Sequence, residues 1–189
     1  MTLPASLIYT MGVSLDGYIV GPDGVFAWTE PDPELFRFIT DETRELAAYV
    51  MGRRLYETML YWETADQDAP LDDDARAWAA IWNPLPKVVF STTLSAVEGN
   101  ARLATGSLSE EIARLRDEAG DRDIAIGGAT LAREAARLDL IDEYRPRVYP
   151  VLVGGGIPFY ARSGRQVGLE LVDSLTFSET VCFRYRVAR

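Results

Sequence analysis

Four short polar stretches of this chain each follow an apolar run. Gly52-Arg53-Arg54 follows "YVM", and Ser91-Thr92-Thr93 follows "KVVF". Gly127-Gly128-Ala129-Thr130 follows "IAI", and Gly154-Gly155-Gly156 follows "VYPVLV". Each supplies something an anion needs: free backbone N–H groups at a helix start, guanidinium forks, or hydroxyls. Arg53 and Arg54 at a helix start oppose the positive end of the macrodipole, a placement that makes sense if an anion lands between them. Taken singly, each stretch is equally a tight corner, a solvated pair or turn chemistry. Repeated at successive strand ends, they point to an extended ligand with several phosphates, such as a dinucleotide.

The common dinucleotide fingerprint is absent. "GGATLA" has paired glycines but lacks the spaced third glycine of GxGxxG. Arginines in place of a ribose-binding acid favour the 2′-phosphate of NADPH over NADH. Lys87 is the only lysine, so a Tyr-x-x-x-Lys pair and a phosphate-loop lysine are both excluded. At the start of a strand it is expected to be a solvated gatekeeper. With no histidine, there is no Ser-His-Asp triad, no Cys-His pair and no His-ligated metal, and no metal site is expected. Cys182 is the single cysteine, which suits a cytoplasmic location. A net charge of -10 argues against nucleic acid and anionic membranes as partners. No run approaches the ~18 apolar residues of a spanning helix, and the N-terminus lacks the basic start of a signal peptide.

The elements that would position these stretches alternate along the 189 residues. "SLIYTMGV" reads as a first strand, followed by a loop from Ser14 to Trp28 with a short extended piece at Tyr18-Ile19-Val20. "DPELFRFITDETRELA" reads as a helix capped by Asp32, with Pro33 at its first position and an apolar face of Leu35, Phe38, Ile39 and Leu46. "AYVMG" is a buried strand, and "RRLYETMLYW" a helix with Leu55, Met59 and Trp62 on one side. Residues 72–82 form a helix with an acidic first turn. "KVVFS" is a strand. "SLSEEIARLRDEAG" is a helix, with Ser109 as a possible cap and Gly120 as its stop. "DIAIGG" is a strand, "ATLAREAARL" a helix, and "DEYRPRVYPVLVGGG" contains a strand. A hairpin turning at "SLTFSE" ends the chain. The order implies one α/β domain over residues 1–189, with a mixed, mostly parallel central sheet flanked by helices and a C-terminal antiparallel hairpin.

"SLDGYI", "MGRRLYETM" with its following "YW", "KVVFS", "IGGATL" and "PVLVGGGIPFY" occur in an order that resembles the dihydrofolate-reductase-like superfamily. The chain is most similar to the branch containing the reductase domain of bacterial riboflavin biosynthesis and many stand-alone reductases. The resemblance covers nearly the whole chain and implies an NADPH-dependent oxidoreductase. Gly52, Arg53 and Arg54 would hold phosphates, and Ser91 and Thr92 would lie near the 2′-phosphate. Ile126, Gly127, Gly128, Ala129, Thr130 and Leu131 would cradle the pyrophosphate. The loop from Ser14 to Trp28 would cover the nicotinamide, and a homodimer is implied. Leu55 stands where relatives often carry a phosphate-binding threonine.

Folate reductases carry a carboxylate on the first helix; here Phe36 falls in register, with Asp32 and Glu34 nearby. Asp16 of "SLDG" is therefore the candidate acid, with a plain Asp-Gly turn as the alternative. Trp28, Trp62, Tyr149, Gly155 and Tyr160 are candidates for the substrate pocket, the tryptophans by stacking on a flat substrate. The expected reaction is hydride transfer to a C=N or C=O of a flat pterin-, folate- or pyrimidine-like heterocycle. The alternative is a protein of the same fold that binds NADPH or another ligand without turnover.

Overall fold

A computed structural model describes residues 5–68, 70–160 and 164–189. Its strands are β1 (Leu7–Ser14), β2 (Tyr18–Val20), β3 (Leu46–Gly52), β4 (Lys87–Phe90) and β5 (Ala101–Leu103). They continue with β6 (Asp123–Gly127), β7 (Glu143–Tyr149), β8 (Ile157–Pro158), β9 (Leu169–Phe177) and β10 (Thr180–Val187). The helices are α1 (Pro33–Arg44), α2 (Arg53–Met59), α3 (Tyr61–Asp68), α4 (Asp73–Trp82), α5 (Leu108–Ala119) and α6 (Ala129–Arg137), with a 3-10 turn at Ala27–Thr29.

Eight strands form one sheet in the order β5-β4-β3-β6-β1-β7-β10-β9, while β2 pairs with β8. From β5 to β7 every neighbouring pair is parallel; β10 runs antiparallel to both β7 and β9. Period-2 alternation assigns the two faces. Leu7, Tyr9, Ile124, Ile126, Val50 and Val88 pack with α5 and α6 through Ile112, Leu115, Ala132 and Ala135. Their sequence neighbours Ile8, Ala125, Met51 and Val89 face Trp78 and Trp82 of α4 and Tyr56 of α2. Two-sided burial explains why these strands read as continuous apolar runs.

The helix starts follow local chemistry. Asp32 accepts from the Leu35 amide at 2.9 Å, with Pro33 behind it. Asp72 accepts from the Ala75 amide at 2.7 Å. The cap of α5 is Ser107, not Ser109: Ser107 puts Glu110 at the third helical position and closes a capping box, whereas Ser109 would put apolar Ile112 there. Gly120 ends α5 with φ 67°.

Three further expectations shift. The first helix stops at Arg44, and Leu46 begins β3, because Leu46 and Ala48 pair with Asp123 and Ile124 of β6 and override helix propensity. "RRLYETMLYW" divides at Leu60 into α2 and α3. Lys87 is not a solvated gatekeeper. It is 4% exposed, and its Nζ donates to the carbonyls of Trp82 (2.6 Å), Leu85 (3.0 Å) and Asn83 (3.2 Å). The lysine therefore closes the C-terminus of α4, with Glu63 3.9 Å away and the Trp82 ring beneath it.

Candidate functional site

Topology gathers three of the four polar stretches. β4, β3 and β6 are adjacent and parallel, and they end in register: Gly52 opposite Phe90, and Met51 opposite Gly127. Gly52-Arg53-Arg54, Ser91-Thr92-Thr93 and Gly127-Gly128 therefore sit side by side along one crest. Arg53 Nη1 donates to Thr93 Oγ1 at 2.8 Å, and Arg53 Nε pairs with Glu57 at 3.1 Å. Arg54 is exposed and has no ion pair among the described residues. Ser91 Oγ is committed to its own turn, accepting from the amides of Thr93 and Leu94.

At β6 the two glycines differ. A Cβ on Gly127 would lie 2.5 Å from both Leu55 Cδ2 and the Tyr49 hydroxyl, so this glycine is required by the protein's own packing. Gly128 has φ 87°, and a Cβ there would meet nothing within 4 Å. It precedes α6, whose start has no side-chain cap. The start of α6 thus has no side-chain cap and room beside Gly128, next to the end of β3, an arrangement a diphosphate would fit. Leu55, in place of threonine, covers Gly127 and lines the neighbouring cleft.

The fourth stretch lies beyond β1 and β7. Asp16 accepts from the Gly154 amide at 2.7 Å, the Val153 amide at 3.2 Å and the Ser14 hydroxyl at 2.6 Å. The Ser14 bond, with those amides, holds the Asp16 carboxyl below its ordinary range. Asp16 is thus an ionised strap between the "SLDG" turn and the glycine loop that contains Gly155. Both a plain Asp-Gly turn and a part in proton delivery, directly or through a water that Asp16 orients, are compatible with this engagement.

Between α1, α2 and α4 and the face of β1, β6 and β7 that they cover lies a cleft of about 200 Å³. Its apolar wall includes Ile39, Leu55, Met59, Trp78 and Trp82; its polar side includes Thr10, Glu42, Arg145, Arg147 and Tyr149. Arg145 is fully engaged: Nε and Nη2 donate to Glu143 at 3.1 and 2.9 Å, and Nη1 to Glu42 at 3.3 Å. Burial pushes the Glu143 carboxyl up, but hydrogen bonds from Arg184 and Arg145 outweigh it and hold the group below its usual range. Burial pushes the Tyr149 hydroxyl up to about 12 against the opposing charge of Arg147, so it keeps its proton.

Trp28 packs edge-on to Tyr149 at 6.2 Å, and Thr29 lines the cleft, so the end of the loop from Ser14 to Trp28 reaches it. Trp62 does not line the cleft. It packs on Phe36 and on Trp78, and Trp78 and Trp82 supply the wall instead. Tyr160 lies on the other sheet face, against Tyr144 and Phe159, because Tyr144 alternates with the cleft-facing Arg145. Sequence reading also missed Thr10, Glu42, Arg145 and Arg147. The spacing "RPR" on a strand was the available signal, since residues two apart share a face.

The sheet order, its mixed polarity and the clustered strand ends define a dihydrofolate-reductase-like fold. A dihydrofolate reductase from Enterococcus faecalis complexed with NADP(H) superposes with a TM-score of 0.61 at 14% identity, covering 99% of this chain and 100% of that one. The model of the RibD C-terminal domain matches residues 5–183, and the chain belongs to that family. A putative riboflavin biosynthesis protein from Shewanella sp. PV-4 matches with a TM-score of 0.76 at 25% identity, over 97% of this chain and 99% of that one. The uncharacterized protein YyaP of Bacillus subtilis is 27% identical over 175 residues, 93% of this chain and 90% of YyaP. Among the described residues, no helix is long and apolar enough to cross a membrane.

Proposed function

We propose that this protein is an NADPH-dependent reductase acting on a C=N or C=O of a flat pterin-, folate- or pyrimidine-like heterocycle. The adjacency of three phosphate-compatible strand ends, with an aromatic-walled cleft next to them, carries this reading. Gly52, Arg53, Arg54, Ser91, Thr92 and the Ile126–Leu131 segment would hold NADPH, which supplies hydride when bound. Trp28 and Tyr149 would border the substrate. With Asp16 held ionised and Asp32 engaged as a helix cap, the proton would come from water near Asp16. Titration with NADPH while following melting temperature and tryptophan fluorescence tests cofactor binding; no shift in either would end this reading. Oxidation of NADPH across a panel of pterins, folates and aminopyrimidines tests turnover.

One observation favours a second reading, cofactor binding without turnover: among the described residues the carboxylates near the cleft are already engaged, Asp16 by the Gly154 and Val153 amides, Asp32 by the Leu35 amide and Glu42 by Arg145. NADPH binding with no oxidation across the panel would favour it, and turnover with any compound would reject it. In either reading we take residues 1–189 as a single domain of a cytoplasmic protein. The exposed apolar residues of the edge strand β9, Leu169, Leu171, Val172 and Leu175, support a homodimer. Light scattering coupled to gel filtration reads that state.

A further inference from the structure

Tyr49 stands where the crest of strand ends meets the cleft. Its partner on β6 is Ala125, two residues before Gly127, and its side chain leans along the strand towards the carboxyl end. The hydroxyl lies 2.5 Å from the position a Gly127 Cβ would occupy, beside Leu55. The ring packs edge-on to Trp82, with centroids 5.2 Å apart. Tyr49, Leu55 and Trp82 all line the cleft. One hydroxyl thus borders both the phosphate-compatible glycine segment and the cavity in which a flat ring would lie. Hydride passing from a cofactor on the crest to a ring in the cleft must cross that boundary.

The fold makes no use of this hydroxyl. Among the described residues it forms no hydrogen bond, and the side chains beside it, Leu55 and Trp82, offer no acceptor. Tyr56, packed on the same side of the sheet, differs: its hydroxyl accepts from the Glu98 amide at 2.6 Å. Tyr149 also opens on the cleft, but it pairs with Ser14 across β1 and lies against Trp28, away from Gly127. Burial pushes the Tyr49 hydroxyl up to about 12 against the opposing charge of Arg147, so it keeps its proton and can donate. A phenol with no structural bond, at the edge of an otherwise apolar wall, is the kind of polar group that orients a ligand in a pocket.

We infer that the Tyr49 hydroxyl donates a hydrogen bond to the acceptor atom of the ring in the cleft, the oxygen of its C=O or the nitrogen of its C=N, and so fixes the reacting bond next to Gly127. The inference rests on the reductase reading, but its binding test is read without NADPH. As hydride adds to carbon, the π pair of the C=O or C=N moves to the oxygen or nitrogen, and negative charge grows there. A donor already in place stabilises that charge without reorganising. Tyr49 keeps its own proton throughout; the proton that completes the reduction comes from water.

The variant Y49F removes the hydroxyl and leaves the ring against Trp82 and Gly127. Pteridine-2,4-dione, a flat fluorescent ring with two carbonyls, serves as the probe. Y49F should bind it several-fold more weakly than wild type, the worth of one neutral hydrogen bond. Infrared difference spectra should place a carbonyl stretch of the bound probe lower in wild type than in Y49F. Y144F, on the other face of the sheet, should match wild type in both measurements. Y49F should melt with wild type, because its hydroxyl has no protein partner to lose. With any compound of the panel that turns over, Y49F should lower kcat about a hundredfold, as loss of a charge-stabilising donor does, and raise KM far less. The inference is overturned if Y49F binds the probe as tightly as wild type or leaves its carbonyl stretch unmoved. It is overturned equally if Y49F melts several degrees lower or fails to fold, which would make the hydroxyl structural. A KM effect with unchanged kcat overturns it too, as does wild-type binding of the probe no tighter than about 10 mM, too weak for a recognition site. NADPH affinity is measured in parallel on the same variants. Its absence in wild type would defeat the reductase reading alone, while a Y49F indifferent to the probe with NADPH binding intact would defeat only this one.

Discussion

The carboxylate of Asp16 and the amide of Gly154, 138 residues apart in sequence, meet at 2.7 Å. The bond ties the turn after β1 to the glycine loop after β7, two loops that flank the same end of two paired strands. Gly154, Gly155 and Gly156 all have positive φ, and the loop is anchored by this strap and its Val153 partner, by the Leu15 amide donating to the Val151 carbonyl at 2.9 Å before it, and by the β2–β8 pairing after it. D16N should accept fewer and weaker bonds than a charged carboxylate. The expected outcome is a catalytic efficiency lowered about ten- to a hundredfold, as for a misplaced catalytic loop, with an unchanged shape of the pH–rate profile. A lost protonation limb in that profile would instead show Asp16 acting as the acid.

Arg53 bridges two cofactor-facing stretches, since it starts α2 and its Nη1 reaches Thr93 beyond β4. R53A removes a guanidinium from the crest and leaves the Thr93 hydroxyl in solvent. NADPH affinity should fall about tenfold or more, corresponding to roughly 1.5–3 kcal/mol for a charge-assisted contact. The loss should shrink with added salt. Calorimetric titration at two ionic strengths checks it, and an NADH control separates a diphosphate contact from a 2′-phosphate contact.

Much of this architecture was legible because it rests on local rules. Asp32-Pro33 caps a helix, Gly120 stops one, and alternating strands and helices gave the parallel core with a terminal hairpin. What escaped depends on partners distant in sequence. Lys87 looked like an edge residue, but β5 covers β4, and the carbonyls ending α4 draw its ammonium inward. Leu46 read as helical until pairing with β6 claimed it. The strand-end motifs were found because glycines and arginines mark them directly. The cleft was not, because Glu42 reads as one more charge on a helix, and Arg145 and Arg147 as solvated positions on a strand.

Gly127 and Gly128 answer different demands. G127A drives a methyl group into Leu55 and the partly buried Tyr49 ring. It should cost about 1–3 kcal/mol of stability, as overpacking does, whether or not NADPH binds. At Gly128 the space is open, but φ 87° with ψ 125° lies outside what side-chain-bearing residues adopt readily. G128V therefore strains the backbone, at about 1–3 kcal/mol, besides crowding any ligand. Denaturant unfolding of both variants, with NADPH titration of the folded fraction, separates these effects. G127A should lose stability with affinity nearly intact, and G128V should lose both.

Glu111 is the clearest pH-linked group of the fold. It is fully buried in α5, with Arg102 donating to Oε2 at 2.7 Å and the Thr105 amide to Oε1 at 2.8 Å. The Arg102 bond leads in holding its carboxyl down at about 2. The folded value lies below that of the unfolded chain, near ~4.3. Its stabilisation is therefore complete above that unfolded value and is lost as pH falls towards about 2. Because the Arg102 side chain is 40% exposed, the contribution is discounted to on the order of 2 kcal/mol. E111Q should lower stability at pH 7 by about that amount and flatten the acid limb below ~pH 4.5. Urea unfolding at intervals from neutral to strongly acidic pH checks it. A variant curve parallel to wild type through the acid limb would assign the linkage to other carboxylates.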